Sequence, residues 1–265
     1  MRRTRDSFTW KTVLRTCFRA GAFAQIKSPI AARWFGEEMD ERIERARELI
    51  ENREQDDSNL SAAENLLLEL APSNAPDAAM AYGLLGEVQY WRGQISEGSN
   101  QELVSIYDKG VEYGKKGEQI NPDNIDSVFW LAVNRGFYGE ANGILSSLFL
   151  IDPIENGFKK ALEIDETYYF GGPHRGIGWF YHKLPSWPIS HGDNRKAIHH
   201  LEKSLSFGPN FYLTHIYLAQ VFLAVRDKAK AREHLEWIQN APLTANHEKE
   251  DQRYKEQAMI LSKKV

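Results

Sequence analysis

Side chains able to bind or react with a ligand are densest at residues 168–181, which read YYFGGPHRGIGWFY. A glycine pair followed by a proline is typical of a helix start, with the proline at the first helical position. His174 and Arg175 then fall in the first turn, where the helix dipole disfavours cations. They need either an acidic partner, for which Asp165 and Glu166 are the nearest candidates, or an anionic ligand. The alternative is that the string only starts and packs a helix.

The sequence offers no other arrangement that indicates catalysis or metal binding. His199 and His200 are adjacent, so on a helix they point about 100° apart and do not reach one ion. The single cysteine, Cys17, lies far from every histidine in the sequence, which argues against a cysteine nucleophile. No strand precedes the glycines and no Lys-Ser/Thr pair follows them, so a phosphate loop is excluded. We therefore predict no metal site, no cofactor and no enzymatic activity.

Aromatic residues are frequent on both sides of this string. At helical spacing such residues are usually core, which is the first interpretation. Aromatic groups mixed with a few polar side chains such as Asn134 are also what a mostly apolar ligand cleft contains, which is the second. The residues concerned are Tyr90, Trp91, Phe129, Trp130, Phe137, Tyr138, Trp179, Phe180, Tyr181 and Trp187.

The elements that must position these residues repeat along the chain. Helix stops recur 33–46 residues apart, at Pro76, Pro122, Asp165, Pro209 and Pro242. A period in this range with two helices per unit marks a solenoid. In the last unit Ala219 and Ala231 are small enough for two helices to approach closely, in the order of the tetratricopeptide (TPR) pattern. We predict an all-α fold of stacked helical hairpins, a degenerate TPR-like α-solenoid, over residues 36–265.

Three departures from a regular repeat are predicted. The second unit has a polar insertion at 92–102, and the third a loose glycine-rich stretch around Gly136, Gly139 and Gly143. The fourth has an insertion at 183–193. A capping helix is expected at 247–264 to close the array.

Charge divides the chain into a basic arm and an acidic body. The formal net charge is −4, yet residues 1–35 hold eight basic groups and one acid. The acidic body argues against nucleic acid as a partner, because phosphate binding needs clustered Lys and Arg. The arm at 1–35 resembles an organelle transit peptide or an amphipathic segment that contacts an anionic membrane surface. The alternative is a loose extension.

The third and fourth units resemble the TatT family, the TPR-like T components associated with TRAP transporters. The residues that carry the resemblance run from Phe129 to Arg135 and from Tyr169 to Gly178, and the Gly-Gly-Pro-His-Arg string is the most specific. The resemblance implies stacked TPR hairpins, often as a homotrimer, with a cleft or pore in each protomer. It also implies association with a TRAP-type solute-binding protein. Around the cleft it places Trp130, Asn134, His174, Arg175 and Trp179.

Two functions follow as hypotheses. The leading one is a non-enzymatic transporter accessory that binds a solute-binding protein and a small apolar organic ligand in its cleft. The alternative is a general TPR adaptor for proteins, tethered to a membrane by its basic arm, with an open groove and no enclosed cavity. The resemblance implies a periplasmic or membrane-associated protein. Arg15 precedes Cys17 where a lipoprotein signal has small apolar residues, so a cytoplasmic location stays open.

Overall fold

The computed structural model describes residues 39–73, 75–143 and 145–265. The described residues from Met39 to Val265 form one compact unit. The basic arm predicted for 1–35 lies outside the described residues, and its boundary stays a prediction.

All regular elements of the described residues are helical, as predicted. The α-helices are α1 (Glu41–Glu51), α2 (Asn59–Leu70), α3 (Ala78–Ile95), α4 (Asn100–Ile120), α5 (Ile125–Ala141), α6 (Ile151–Asp165), α7 (Tyr168–Lys183), α8 (Asn194–Phe207), α9 (Tyr212–Ala224), α10 (Lys228–Asn240) and α11 (Glu248–Ser262). A short 3₁₀ helix, Leu145–Leu150, connects α5 to α6. The predicted stops fall between successive hairpins, so the repeat assignment is confirmed from α3 onwards.

Local signals explain where the helices begin. The side chain of Asn124 accepts a hydrogen bond from Ser127 N at the start of α5, and Asp193 does the same for Arg195 N at the start of α8. Such side-chain caps satisfy amide groups that the first turn leaves without a partner. A polar capping residue directly before a helix therefore indicates, from the sequence, where that helix begins.

The last hairpin and the capping helix are built as predicted. Ala219 and Ala231 are fully buried where α9 meets α10, because a larger side chain would hold the two helices apart. Helix α11 covers the end of the array and buries Ala258 and Leu261. These small and aliphatic residues join one hydrophobic core that runs through the described repeats.

Two of the predicted departures from regular repeats are wrong. The segment 92–102 is no insertion, since α3 continues to Ile95 and α4 begins at Asn100. Gly136 and Gly139 lie inside α5, and only Gly143, with φ 92°, lies in a connection. Glycine lowers helix propensity by about 1 kcal/mol, which the packing of a long helix outweighs. The third predicted departure, the insertion at 183–193, is correct, because α7 ends at Lys183 and α8 begins at Asn194.

The two ends of the array meet. Residues 51–54, at the end of α1, contact residues 247–253, at the start of α11, and we call this contact the clasp. Arg53 forms an ion pair with Glu250, and His247 Nε2 lies 2.9 Å from Glu51 Oε1. Lys249 N also donates to Glu54 Oε2 over 2.9 Å. The clasp joins the first hairpin to the capping helix, almost 200 residues later in the chain.

Candidate functional site

The site begins with a turn of unusual backbone at the start of α7. Tyr169, Phe170 and Gly171 have φ of 49°, 57° and 73°, which is a short left-handed stretch. Such a backbone costs about 1–2 kcal/mol for each residue other than glycine. A Cβ at Gly171 would lie 2.9 Å from backbone atoms of Ser204, so glycine also allows α8 to approach. The regular right-handed helix then resumes around Pro173, in agreement with the predicted start.

The left-handed turn directs two carbonyl groups towards Arg175. Its guanidinium donates to Tyr169 O over 3.1 Å and to Phe170 O over 3.2 Å. It also lies 4.0 Å from the ring centre of Phe211, in a cation–π arrangement. These contacts lock the turn and fix the direction of the guanidinium.

Arg175 is a buried cation without a carboxylate partner. Its side chain is only 5% exposed, and burial lowers the pKa of its guanidinium, which nevertheless stays protonated. No carboxylate of the described residues forms an ion pair with it. Of the two alternatives that the sequence left open, an acidic partner and an anionic ligand, the first does not hold for Arg175 within this part of the chain.

His174 has the acidic partner that the sequence predicted. Its Nε2 lies 3.1 Å from Glu166 Oε2, and its Nδ1 lies 2.9 Å from Nδ1 of His200. Burial is the main cause of a lowered pKa at His174. The contact with His200 holds the His174 ring between α7 and α8. Adjacent residues of a helix point about 100° apart, so Arg175 points away from α8 and towards the cavity.

Next to Arg175 lies a cavity of about 130 Å³. One water needs about 10–15 Å³ by the same kind of measure, so the cavity has room for a small molecule. Its wall is mostly aromatic and aliphatic and comes from helices α3, α5, α6, α7, α9 and α11 and the 3₁₀ helix. The wall residues used below are Tyr90, Trp130, Gly136, Glu140, Leu148, Tyr169, Arg175, Trp179, Lys183, Leu184, Phe211, Tyr217 and Glu250.

The structure brings three of the five predicted site residues to this cavity. Trp130, Arg175 and Trp179 line it. Asn134 is fully buried and donates from Nδ2 to Gly86 O and Trp130 O, so it joins α3 to α5 instead. His174 likewise lies outside the wall. A ligand role for any of the five stays a prediction.

Several wall residues were missed by sequence reasoning. Tyr217 stacks on Trp179 with ring centres 3.9 Å apart, and Glu250 reaches the cavity from the clasp. Both lie in later repeats without a distinctive motif nearby. The only available signal for Tyr217 is its place one repeat after α7, on the first helix of the hairpin.

The inner wall also holds a buried network of charged groups. Glu250 accepts from Arg53 and, over 2.8 Å, from the Tyr254 hydroxyl. Behind it, burial raises the pKa of Glu87 to about 7, and Trp91 Nε1 donates to this carboxyl over 3.3 Å. The charge of Glu250 is thus satisfied by the protein itself.

A comparison of the sequence with known protein families identifies the family of this chain. A family model described as TRAP transporter T-component matches residues 99–261, which is more than half of the chain. The chain belongs to the TRAP transporter T-component family. The matched span of this T-component contains Trp130, Arg175, Trp179 and Tyr217 and ends within α11.

A solved TPR structure shares the fold of this T-component. The TPR protein TTC0263 of Thermus thermophilus is 16% identical, with a TM-score of 0.59, covering 83% of this chain and 99% of that chain. It shows the TPR-like architecture. Yeast Tom70 matches at 17% identity and a TM-score of 0.34, over 78% of this chain and 50% of that one. No curated protein matches the sequence.

Two further classes of feature are absent from the described ranges of the T-component. No helix there has the length and apolar character needed to cross a membrane. Nor do three or more His, Cys, Asp or Glu residues of those ranges converge as metal ligands.

Proposed function

We propose that this T-component is a non-enzymatic accessory of a TRAP transporter that binds a solute-binding protein and holds a small apolar ligand in its cavity. The observation that carries the proposal is the cavity itself, which has aromatic walls drawn mostly from the span matched by the family. In the same proposal the protein assembles as a homotrimer. The second hypothesis, an adaptor with an open groove, is supported less well because it does not require an apolar cavity of this kind.

Exposed apolar side chains beside the cavity support partner binding. Phe149 is 68% exposed on the 3₁₀ helix, and Trp187 is 86% exposed in the connection after α7. The same two segments contribute Leu148 and Leu184 to the cavity wall, so both segments adjoin the cavity, and we call this side of it the mouth. Exposed aromatic groups of this size are typical of protein interfaces. We propose that the solute-binding protein docks over this mouth.

The docking proposal predicts a loss of partner affinity when the two aromatic residues are replaced. For Phe149→Ser combined with Trp187→Ser, we expect at least a tenfold weaker Kd for the TRAP-type solute-binding protein of the same genome, measured by biolayer interferometry. Both side chains are largely exposed, so the fold is expected to remain intact.

A matched control lies on the capping helix. Met259 and Ile260 are 59% and 60% exposed and lie far along the chain from the mouth. Met259→Ser combined with Ile260→Ser also removes two exposed apolar side chains, of somewhat smaller area, and is expected to leave the Kd unchanged. Absence of binding by the unaltered protein, or equal losses in the two double variants, contradicts docking at the mouth. Sedimentation of the free protein tests the trimer.

Filling the cavity is expected to abolish ligand binding without harming the fold. Gly136 lies in the wall, and a Cβ built there meets no atom within 4 Å. Gly136→Leu therefore places its side chain in the empty space. We expect a neutral apolar fluorescent probe, N-phenyl-1-naphthylamine, to bind the unaltered protein and to bind Gly136→Leu at least tenfold more weakly.

The control for the filled cavity is Gly136→Ala, which adds one methyl group and leaves most of the space. It is expected to bind the probe nearly as well as the unaltered protein. Equal probe affinity in all three proteins contradicts binding in the cavity.

A further inference from the structure

We propose that the cavity selects an apolar monocarboxylate, whose carboxylate binds to Arg175 and to the tyrosine hydroxyl groups around it. This inference rests on the proposed ligand-binding function and names the chemical class of the ligand. Its support is a set of hydrogen-bond donors in the cavity wall that have no acceptor in the described part of the protein.

The first of these donors belong to Arg175. A guanidinium has five N–H groups. Two of them donate to the carbonyls of Tyr169 and Phe170, and the other three find no acceptor among the described residues. Leaving a buried cation without an anion is costly, whereas a carboxylate matches the planar fork of the guanidinium. An anion in the cavity therefore completes the site.

Three tyrosines add further donors around the same cation. Tyr90, Tyr169 and Tyr217 all line the cavity, and none of their hydroxyl groups has a hydrogen-bond partner among the described residues. Burial raises the pKa of each phenol, and the nearby Arg175 partly offsets that rise. All three phenols therefore lie within the field of the guanidinium and keep their protons at neutral pH.

Trp130 packs between two of these tyrosines. Its ring centre lies 5.2 Å from that of Tyr90 and 5.3 Å from that of Tyr169. Its Nε1 has no hydrogen-bond partner in the residues that the structure describes, but this atom is shielded from the cavity and is not one of the donors offered to a ligand. Those donors are the N–H groups of Arg175 and the three phenols, and carboxylate oxygens have several acceptor positions for such a cluster.

The charge of the wall favours a single negative charge on the ligand. Four charged residues line the cavity: Glu140, Arg175, Lys183 and Glu250. Lys183 and Glu140 form an ion pair at 2.7 Å, and Glu250 is paired with Arg53 outside the wall. One positive charge, on Arg175, remains without a counterion in the described ranges. A monoanion balances it, whereas a dianion brings a second charge into a mostly apolar space at high cost.

The rest of the wall determines the other part of the ligand. Trp179 and Tyr217 stack on each other, and Phe211 covers the guanidinium from one side. Such surfaces gain free energy by burying hydrocarbon. The cation beside them, Lys183, lies 5.4 Å from the ring centre of Trp179 and is already paired with Glu140. The ligand is thus an acid with one carboxylate and an apolar chain or ring.

The test compares three probes of equal chain length on the full-length protein by calorimetry: octanoate, 1-octanol and octanedioate. We expect octanoate to bind at least tenfold more tightly than either of the others. For Arg175→Gln, octanoate is expected to lose at least tenfold in affinity while 1-octanol keeps its own. Equal affinities for octanoate and 1-octanol overturn the carboxylate site, yet leave the cavity intact if the neutral naphthylamine probe still binds.

A second variant guards against a fold effect, because Arg175 also holds the left-handed turn. Tyr90→Phe combined with Tyr217→Phe removes two hydroxyl groups that have no partner among the described residues, so stability is expected to be unchanged. Octanoate is expected to bind this variant at least threefold more weakly, with 1-octanol unaffected. Unchanged octanoate binding here and in Arg175→Gln overturns the proposal. Failure of every probe, the neutral naphthylamine included, overturns the ligand-binding function itself.

Discussion

Gly83→Ala is expected to lower the free energy of unfolding by about 3 kcal/mol. A Cβ at this position of α3 would lie 2.5 Å from the backbone carbon of Asp126 and from the backbone nitrogen of Ser127. Backbone atoms of α5 cannot rotate away as a side chain does, so the two helices must separate. The Ser127 hydroxyl, which donates to Ala79 O over 2.6 Å, is expected to lose its bond at the same time.

Urea denaturation and thermal melting measure this effect. A loss of about 3 kcal/mol corresponds to a fall in Tm of about 6–12 °C for a domain of this size. Gly136→Ala is the matched control, since it is the same change within a helix where the new methyl group meets nothing. It is expected to raise stability by about 0.5–1 kcal/mol. A Gly83→Ala protein as stable as the control contradicts the close crossing of α3 and α5.

Acid is expected to destabilise the protein between pH 6.5 and about 4 through two histidine pairs. His174 and His200 face each other with Nδ1 atoms 2.9 Å apart, and His215 and His234 do so at 3.0 Å. Each pair joins the two helices of one hairpin, in consecutive repeats. Burial, reinforced by the facing ring, lowers the pKa of His200 to about 4. The pKa of His234 is lowered to about 4 for the same reasons.

The sign of this pH dependence follows from the number of protons that the native and unfolded states bind. Both pKa values lie below the unfolded value of 6.5, so between pH 6.5 and 4 the unfolded chain binds more protons than the native one. The stabilisation is fully present above pH 6.5 and is lost as the pH falls towards 4. At 1.36 kcal/mol for each pKa unit, lowering both pKa values from 6.5 to about 4 corresponds to about 7 kcal/mol, which solvent screening at these partly exposed rings reduces to about 3–6 kcal/mol.

Urea midpoints at pH 7.5, 6.5, 5.5 and 4.5 measure the loss. Replacing both His200 and His234 by Gln is expected to flatten the dependence over this window. His247 gives an internal control of opposite sign, because its hydrogen bond to Glu51 raises its pKa. Its stabilisation is present below pH 6.5 and is lost as the pH rises, so His247→Gln should make the acid loss steeper. An identical pH dependence in all three proteins contradicts the role of the pairs.

Part of the cavity wall could be recognised from the sequence. Arg175 and Trp179 are conspicuous because they lie in one string of aromatic and cationic residues. Trp130 is conspicuous because it lies in the other stretch that carries the family resemblance. Tyr217 and Glu250 are not conspicuous, since they come from the next repeat and from the capping helix. Their approach depends on how successive hairpins rotate relative to one another, and small rotations accumulate over several repeats.

The sequence by itself determined the helical repeat and its boundaries, because prolines, capping side chains and small alanines act within a few residues of where they stand. It also singled out Arg175 and His174 as side chains that need an acidic partner or an anionic ligand. Only the tertiary structure decided between their possible partners, since His174 reaches Glu166 while Arg175 turns into the cavity. The left-handed turn at Tyr169, the clasp and the uncompensated charge all depend on contacts between distant segments, which no local pattern specifies.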